Sequence, residues 1–171
     1  MNIIEIILIA IGLSMDTLSL SLAISLTNSF QRNFLLSTIV GIYHFVMPLI
    51  GYSLGLRLHF FIHFNYAHLL GIILLLIALS LILEKHDKPI IKDSIIGLNI
   101  FALTVSIDAF SVGIGIDNIK LLYLFIFAII SFIFTYSGLR FGKYLAQKIN
   151  KFANYLGIII LLLLGLYNLF K

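Results

Sequence analysis

Apolar residues fill six stretches of this chain, separated by short polar interruptions: Ile3–Leu26, Phe34–Leu56, Ala67–Leu83, Ile95–Ile116, Leu121–Leu139 and Ala153–Phe170. A helix needs ~20 consecutive apolar residues to cross the hydrocarbon core of a bilayer, with a working range of about 17–25. All six stretches qualify, so the pattern predicts an all-α polytopic membrane protein with six transmembrane helices. Little is left over for a soluble domain, and any chemistry must lie among the helices. The first stretch has no Lys or Arg before it and no small-residue cleavage site, so it is expected to remain as a span rather than act as a cleaved signal.

Polar positions inside the stretches reveal a repeat. The first stretch maps onto the fourth with an offset of 92, pairing Gly12 with Thr104, Ser14 with Ser106, Asp16 with Asp108 and Ser19 with Ser111. The second maps onto the fifth with an offset of 87 (His44 with Ser131, Pro48 with Thr135, Gly51 with Gly138, Gly55 with Gly142), and the third onto the sixth with an offset of 86. Residues 1–83 and 95–171 thus read as two three-helix repeats, joined by a linker over 84–94. An odd number of helices per repeat makes the second copy enter the membrane from the opposite side. Inverted repeats of this kind build many secondary transporters, with the site at the midplane between the copies.

Composition narrows the class further. Hydrophobic residues make up 61% of the chain and charged residues 11%, where a soluble domain carries about 25% charged residues. There is no cysteine, which excludes disulfides and thiolate metal sites. The formal charge of +4 does not point to nucleic acid, because the basic residues sort by face. Arg32, Lys85, Lys88, Lys92, Arg140, Lys143, Lys148 and Lys151 fall on one side, and only Arg57, Lys120 and Lys171 on the other. The positive-inside rule assigns the richer side to the cytoplasm and both termini to the outside.

Asp16 and Asp108 stand near the middle of their stretches. A carboxylate at the centre of a spanning helix costs roughly 2.5–3.5 kcal/mol on insertion scales, so an intramembrane Asp is a functional signal by default. Helical spacing puts Gly12, Ser19 and Ala23 on the face of Asp16, and Thr104, Ser111 and Gly115 on the face of Asp108. Hydroxyls there add oxygen ligands or hydrogen bonds, and small residues let backbones approach. In the second stretch Gly41, His44, Pro48, Gly51 and Gly55 share one face. Pro48 removes a backbone hydrogen bond and frees the carbonyl one turn back, so a helix break beside His44 is expected. Ser131, Thr135, Gly138 and Gly142 occupy the matching place in the fifth stretch. The residues therefore nominate Asp16, Asp108 and His44 as cation ligands, with Ser14, Ser19, Thr104, Ser106, Ser111, Pro48, Ser131 and Thr135 along the substrate pathway. Two carboxylates brought close repel each other, and either a divalent cation or a proton relieves that repulsion. Oxygen ligands suit Mg²⁺, Ca²⁺ and Mn²⁺, and an imidazole shifts the preference toward transition metals. No catalytic triad or nucleotide fingerprint is present. His59, His63 and His68, and the turn Glu84–Lys88, read as solvated interfacial residues.

At these residues the chain resembles the MntP-type bacterial manganese efflux pumps, six-helix proteins built from two copies of one domain. The pattern Ser-hydrophobic-Asp-Ala stands as Ser106-Ile-Asp108-Ala, and more loosely as Ser14-Met-Asp16-Thr. Met-Pro-x-x-Gly-x-x-x-Gly stands as Met47-Pro48 followed by Gly51 and Gly55. The chain departs from the pattern at Leu22–Ser25, at His44 (Gln or Glu in relatives) and at Asn154 (often Glu). The resemblance implies a divalent cation exporter of the cytoplasmic membrane, with Mn²⁺ as transported substrate rather than resident cofactor, and protons as a candidate counter-ion. Two rival readings are export of another small cation or an amino acid, and a structural or assembly role without transport. The oligomeric state is not legible.

Topology supplies the first test. Reporter fusions at both termini and within 57–66 are expected to report the outside, and fusions within 84–93 and 140–151 the cytoplasm. A cytoplasmic C-terminus overturns this orientation.

Overall fold

The computed structural model describes residues 2–24, 30–61, 65–83, 95–145 and 149–170. The turn Glu84–Lys88, the rest of the linker 84–94, Ser25, His63, Lys148 and Lys171 lie outside them, as do the side chains of Ala23, Lys143, Lys151 and Asn154. Seven helices form among the described residues: α1 (Ile3–Ile24), α2 (Phe30–Phe61), α3 (Tyr66–Leu83), α4 (Ile95–Thr104), α5 (Ile107–Gly115), α6 (Leu121–Leu145) and α7 (Ile149–Leu169). Four spans are long and apolar enough to cross a membrane: Ile3–Leu22, Gln31–Phe60, Ile95–Gly115 and Leu121–Gly142. Tyr66–Ser80 and Tyr155–Leu169 are shorter apolar helices. The protein is an all-helical, multi-pass membrane protein.

Two helices differ from expectation. The second runs unbroken through Pro48, from Phe30 to Phe61, well past the apolar stretch at both ends. A turn that leaves the hydrocarbon keeps its own backbone hydrogen bonds, so hydropathy marks where the membrane ends rather than where the helix does. The expected break falls instead in the fourth span, at Val105 and Ser106, where neither Pro nor Gly stands.

Packing runs across the chain rather than along it. α1 lies against α6 and α7; α2 against α4, α5 and α6; α3 against α5 and α7. Each of these pairs joins a helix before residue 84 to one after residue 94. The larger core follows the same rule: Ile9 and Leu13 of α1 and Leu74 of α3 pack with Val112 of α5, Phe127 of α6 and Leu161 of α7. Neither half therefore buries a core of its own. Outward faces are apolar, including Ile42, Val46 and Ile50 on α2 and Ile129 and Ile133 on α6, as a lipid-facing surface requires.

Glycine sets the closest approach, at α2–α5. A Cβ on Gly51 would collide with the carbonyl oxygen of Phe110 and come within 3.2 Å of the Gly113 Cα. On Gly113 it would strike the Pro48 carbonyl oxygen and lie 2.7 Å from the Pro48 Cα. These neighbours are backbone and cannot swing aside. At Gly41 the nearest atom, the Ala128 carbonyl oxygen, would be 3.1 Å away. Gly51→Ala and Gly113→Ala should thus each lose about 1–3 kcal/mol, the usual cost of overpacking, while Gly41→Ala loses less. Thermal denaturation in detergent checks the ranking; equal losses at all three positions contradict it.

Candidate functional site

The interruption between α4 and α5 coincides with a hydroxyl that bonds two carbonyls of its own helix. Ser106 Oγ donates toward the carbonyl oxygens of Ala102, at 2.7 Å, and Leu103, at 3.1 Å. Its own N–H shifts from the regular acceptor to the Leu103 carbonyl at 3.2 Å, a tighter turn. A side chain inserted into the ladder in this way kinks or breaks a helix without proline. The α-helical ladder then resumes, with Phe110 N–H on the Ser106 carbonyl at 3.1 Å.

This restart places Asp108 in the first turn of α5. The N-terminal end of a helix carries partial positive charge and stabilises an anion. Asp108 Oδ1 also accepts the N–H of Ala109 at 2.7 Å. The carboxylate borders an open cavity of about 300 Å³ between α3 and α5, whose walls include Ile73, Ile77 and Ser80 as well as Ile107 and Ser111. The hydroxyl of Ser111 bonds back to Ile107. Thr104, expected on the same stripe, is exposed instead and bonds back to Ile100.

Asp16 has a different setting. α1 continues without a break from Ile3 to Ile24, and Asp16 is half-buried on it. One turn earlier, Gly12 stands against Leu161 of α7. Ser14 faces α6 and shares a hydrogen bond of 2.9 Å with Ser131 Oγ. Thr135 bonds back to the Ser131 carbonyl at 2.7 Å, and Ser19 is buried. The two Ser-x-Asp segments therefore differ: Ser14 reaches across to a neighbouring helix, whereas Ser106 turns on its own backbone.

His44 is fully buried on α2. Its Nδ1 lies 3.0 Å from the Val40 carbonyl oxygen, so Nδ1 carries the proton and donates. The lone pair then sits on Nε2, which is buried and meets no hydrogen-bond partner. A histidine whose other nitrogen is held by a backbone carbonyl is oriented as metal ligands usually are.

These candidates are not gathered into one cluster. Among the described residues no three of His, Cys, Asp and Glu come together as a metal site. α1 and α5 are not among the closely packed helix pairs, and neither Asp16 nor His44 lines the Asp108 cavity. His59 stacks at a tilt on Tyr66 with ring centroids 4.6 Å apart, and His68 is exposed. Two features escaped the sequence reading. Thr17 and Ser21 join Ser14 on a buried face of α1, which was legible had helical spacing been counted from Ser14 rather than from Asp16. Tyr43 donates to Asn99 at 3.3 Å beside a second cavity of about 380 Å³ between α2 and α4.

Comparison with known proteins identifies the family. Residues 27–169 match the family model described as "Putative manganese efflux pump". Three relatives bear the name "Putative manganese efflux pump MntP". The one from Bacillus pumilus is 32% identical over 170 residues, covering 95% of this chain and 92% of its own. That from Methanobrevibacter smithii is 35% identical over 178 residues (96% and 95%), and that from Bacillus cereus 34% over 180 (99% and 97%). No solved structure matches. The chain belongs to this family, one of transporters rather than enzymes.

The unpartnered Nε2 sets a test of His44 as a ligand. His44→Leu removes a buried orphan worth on the order of 1–3 kcal/mol, so the folded protein should keep or gain stability in detergent. If Nε2 binds metal, added Mn²⁺ should raise the melting temperature of the wild type and not of His44→Leu. An equal Mn²⁺ response in both assigns His44 to packing.

Proposed function

We propose that this member of the family exports a divalent metal cation, Mn²⁺ by the names its relatives carry, across the cytoplasmic membrane by secondary transport. Asp16 and Asp108 handle the cation near the midplane, in six spans arranged as two inverted three-helix repeats with both termini outside. The single observation that carries this reading is the placement of Asp108: a carboxylate in the first turn of a helix that restarts within a span, bordering a cavity of about 300 Å³. Discontinuous helices of this kind form ion and substrate sites in secondary transporters, where irregular backbone is tolerated because it lines a cavity.

The packing supports the repeat. Gly51 meets Phe110 and Gly113, and Gly138 meets Leu18 and Ser21. The offset of 87 carries Gly51 onto Gly138, and the offset of 92 carries Leu18 and Ser21 onto Phe110 and Gly113. One contact thus occurs twice, as a two-fold relation demands. By the same offsets the Ser14–Ser131 pair corresponds to Ser106 and His44. Carboxylates, hydroxyls and one neutral imidazole suit a borderline divalent ion. A proton competes with that ion for the same oxygens, so an inward proton is the natural counter-ion for outward metal.

The test is charge removal without loss of shape. Asp16→Asn and Asp108→Asn each keep hydrogen bonding but replace an anionic ligand by a weaker neutral one. Both should insert normally yet abolish Mn²⁺ resistance in cells and Mn²⁺ movement in everted vesicles, and collapsing the pH gradient should stop wild-type movement. Wild-type export by both well-expressed variants makes the aspartates structural and refutes the assignment.

A further inference from the structure

The seam between α1 and α6 carries hydroxyl groups beyond those assigned above. Ser14, Thr17 and Ser21 recur at three- and four-residue steps and so share one face of α1. That face meets α6, since Ser14 bonds Ser131 and the Ser21 Cβ stands 2.7 Å from where a Gly138 Cβ would lie. Ser131 and Thr135 line the opposite wall, one turn apart. Ser14, Thr17, Ser21 and Thr135 are 0% exposed and Ser131 is 1% exposed.

Two of these hydroxyls are orphans. Thr17 Oγ1 and Ser21 Oγ meet no hydrogen-bond partner, where Ser37, Ser53 and Thr135 each bond back one turn to a carbonyl oxygen. Leaving a buried hydroxyl unmade is costly, and a seam that only held helices together would do better with alanine. The corresponding seam between α2 and α5 carries no buried unbonded hydroxyl among the described residues, although His44, in the place of Ser131, keeps an unpartnered Nε2. The offsets carry Thr17 and Ser21 onto Ala109 and Gly113, and Thr135 and Gly138 onto Pro48 and Gly51. There Gly51 and Gly113 press on opposing backbone more closely than Gly138 does, whose Cβ would come within 2.9 Å of the Leu18 carbonyl oxygen, and the one hydroxyl at an equivalent position, Ser106, is bonded.

We propose that the α1–α6 seam is the part of the exporter that parts. When it opens, Thr17 and Ser21, with Ser14, Ser131 and Thr135, line a hydrated route from the level of Asp16 toward the Ile24 end of α1 and offer oxygen donors to a partly hydrated divalent cation. The α2–α5 seam, where backbone meets backbone most closely, stays shut around Gly51 and Gly113 and acts as the fixed contact. The eight residues from Asp16 to Ile24 span about 12 Å at 1.5 Å per residue, most of one half of a hydrocarbon core of about 30 Å. Wetting the seam satisfies the orphans, which offsets part of the packing lost on opening. The proposal rests on the exporter reading and adds to it which interface moves and which hydroxyls the cation passes.

The chain has no cysteine, so single cysteines report water access without background. Thr17→Cys, Ser21→Cys and the α2–α5 counterpart Ala109→Cys are exposed to a small cationic methanethiosulfonate in vesicles, with and without Mn²⁺. Positions 17 and 21 should react faster than 109 by on the order of tenfold, equivalent to about 1.4 kcal/mol in the opening equilibrium, and Mn²⁺ should change their rates. The double variant Thr17→Val, Ser21→Ala should insert, melt no lower than wild type, and lose most Mn²⁺ export. Equal reactivity at all three cysteines, or unchanged export by the double variant, overturns the proposal. If positions 17 and 21 react but wild-type vesicles move no Mn²⁺, the opening seam is supported and the cargo assignment fails. If Mn²⁺ moves while both remain unreactive, the cargo assignment holds and the seam proposal falls.

Discussion

A polar group buried in this fold can find a partner only among the helices, because lipid supplies none. The same Ser-x-Asp segment occurs twice and meets that constraint in two ways. Ser14 finds Ser131 across the α1–α6 seam, and α1 stays whole. Ser106 bonds its own backbone, and the fourth span divides. Under the proposed repeat the counterpart of Ser131 is His44, whose Nδ1 proton is held by the Val40 carbonyl. A difference of one side chain across the seam thus accompanies the difference between an intact helix and a broken one, and with it the setting of each aspartate.

The second determinant is that the halves interlock. Each helix of residues 3–83 packs on helices beyond residue 94, so the core forms only when both are present. Gly51 and Gly113 make the tightest of these contacts with bare backbone on both sides. The motion behind the proposed transport therefore cannot separate two preformed bodies. It must shift helices within a shared core, and seams that differ in wetness and tightness will not yield equally. Backbone-tight contacts rich in glycine suit a fixed element; a seam with unbonded hydroxyls suits a moving one.

The apolar stretches located every described helix, because length and hydropathy are what a bilayer selects for. Asp16, Asp108 and the buried His44 also stood out, since ionisable groups in such stretches need a reason to be there. Three features were out of reach for specific reasons. Proline weakens a helix locally, but α2 has neighbours on its Pro48 face and continues through it. The break at Ser106 depends on where one hydroxyl finds an acceptor, which spacing along the chain cannot reveal. The buried hydroxyl face of α1 was misjudged because the stripe was centred on Asp16. Packing is organised instead by Ser14 and Ser21, two residues before and five after it.

The two aspartates, equivalent by repeat, are unequal in surroundings, and this matters for how a carboxylate can serve a cation. Asp108 stands in the first turn of α5, where its Oδ1 accepts the Ala109 N–H and its side chain borders an open cavity. Asp16 lies in the middle of an intact helix, without the benefit of a helix N-terminus, two residues from the Ser14 that bonds across the α1–α6 seam. An inverted repeat works as a transporter only if such inequality can change sides, with one half open while the other is shut. On the proposed reading, the structure corresponds to one of those arrangements. The reverse arrangement need not be its mirror image, since His44 cannot do what Ser131 does and Ala109 cannot do what Thr17 does. How easily each arrangement opens can therefore be written into the few positions at which the proposed copies have diverged, while the gradients set the net direction and, on the same reading, the two carboxylates supply the affinity common to both.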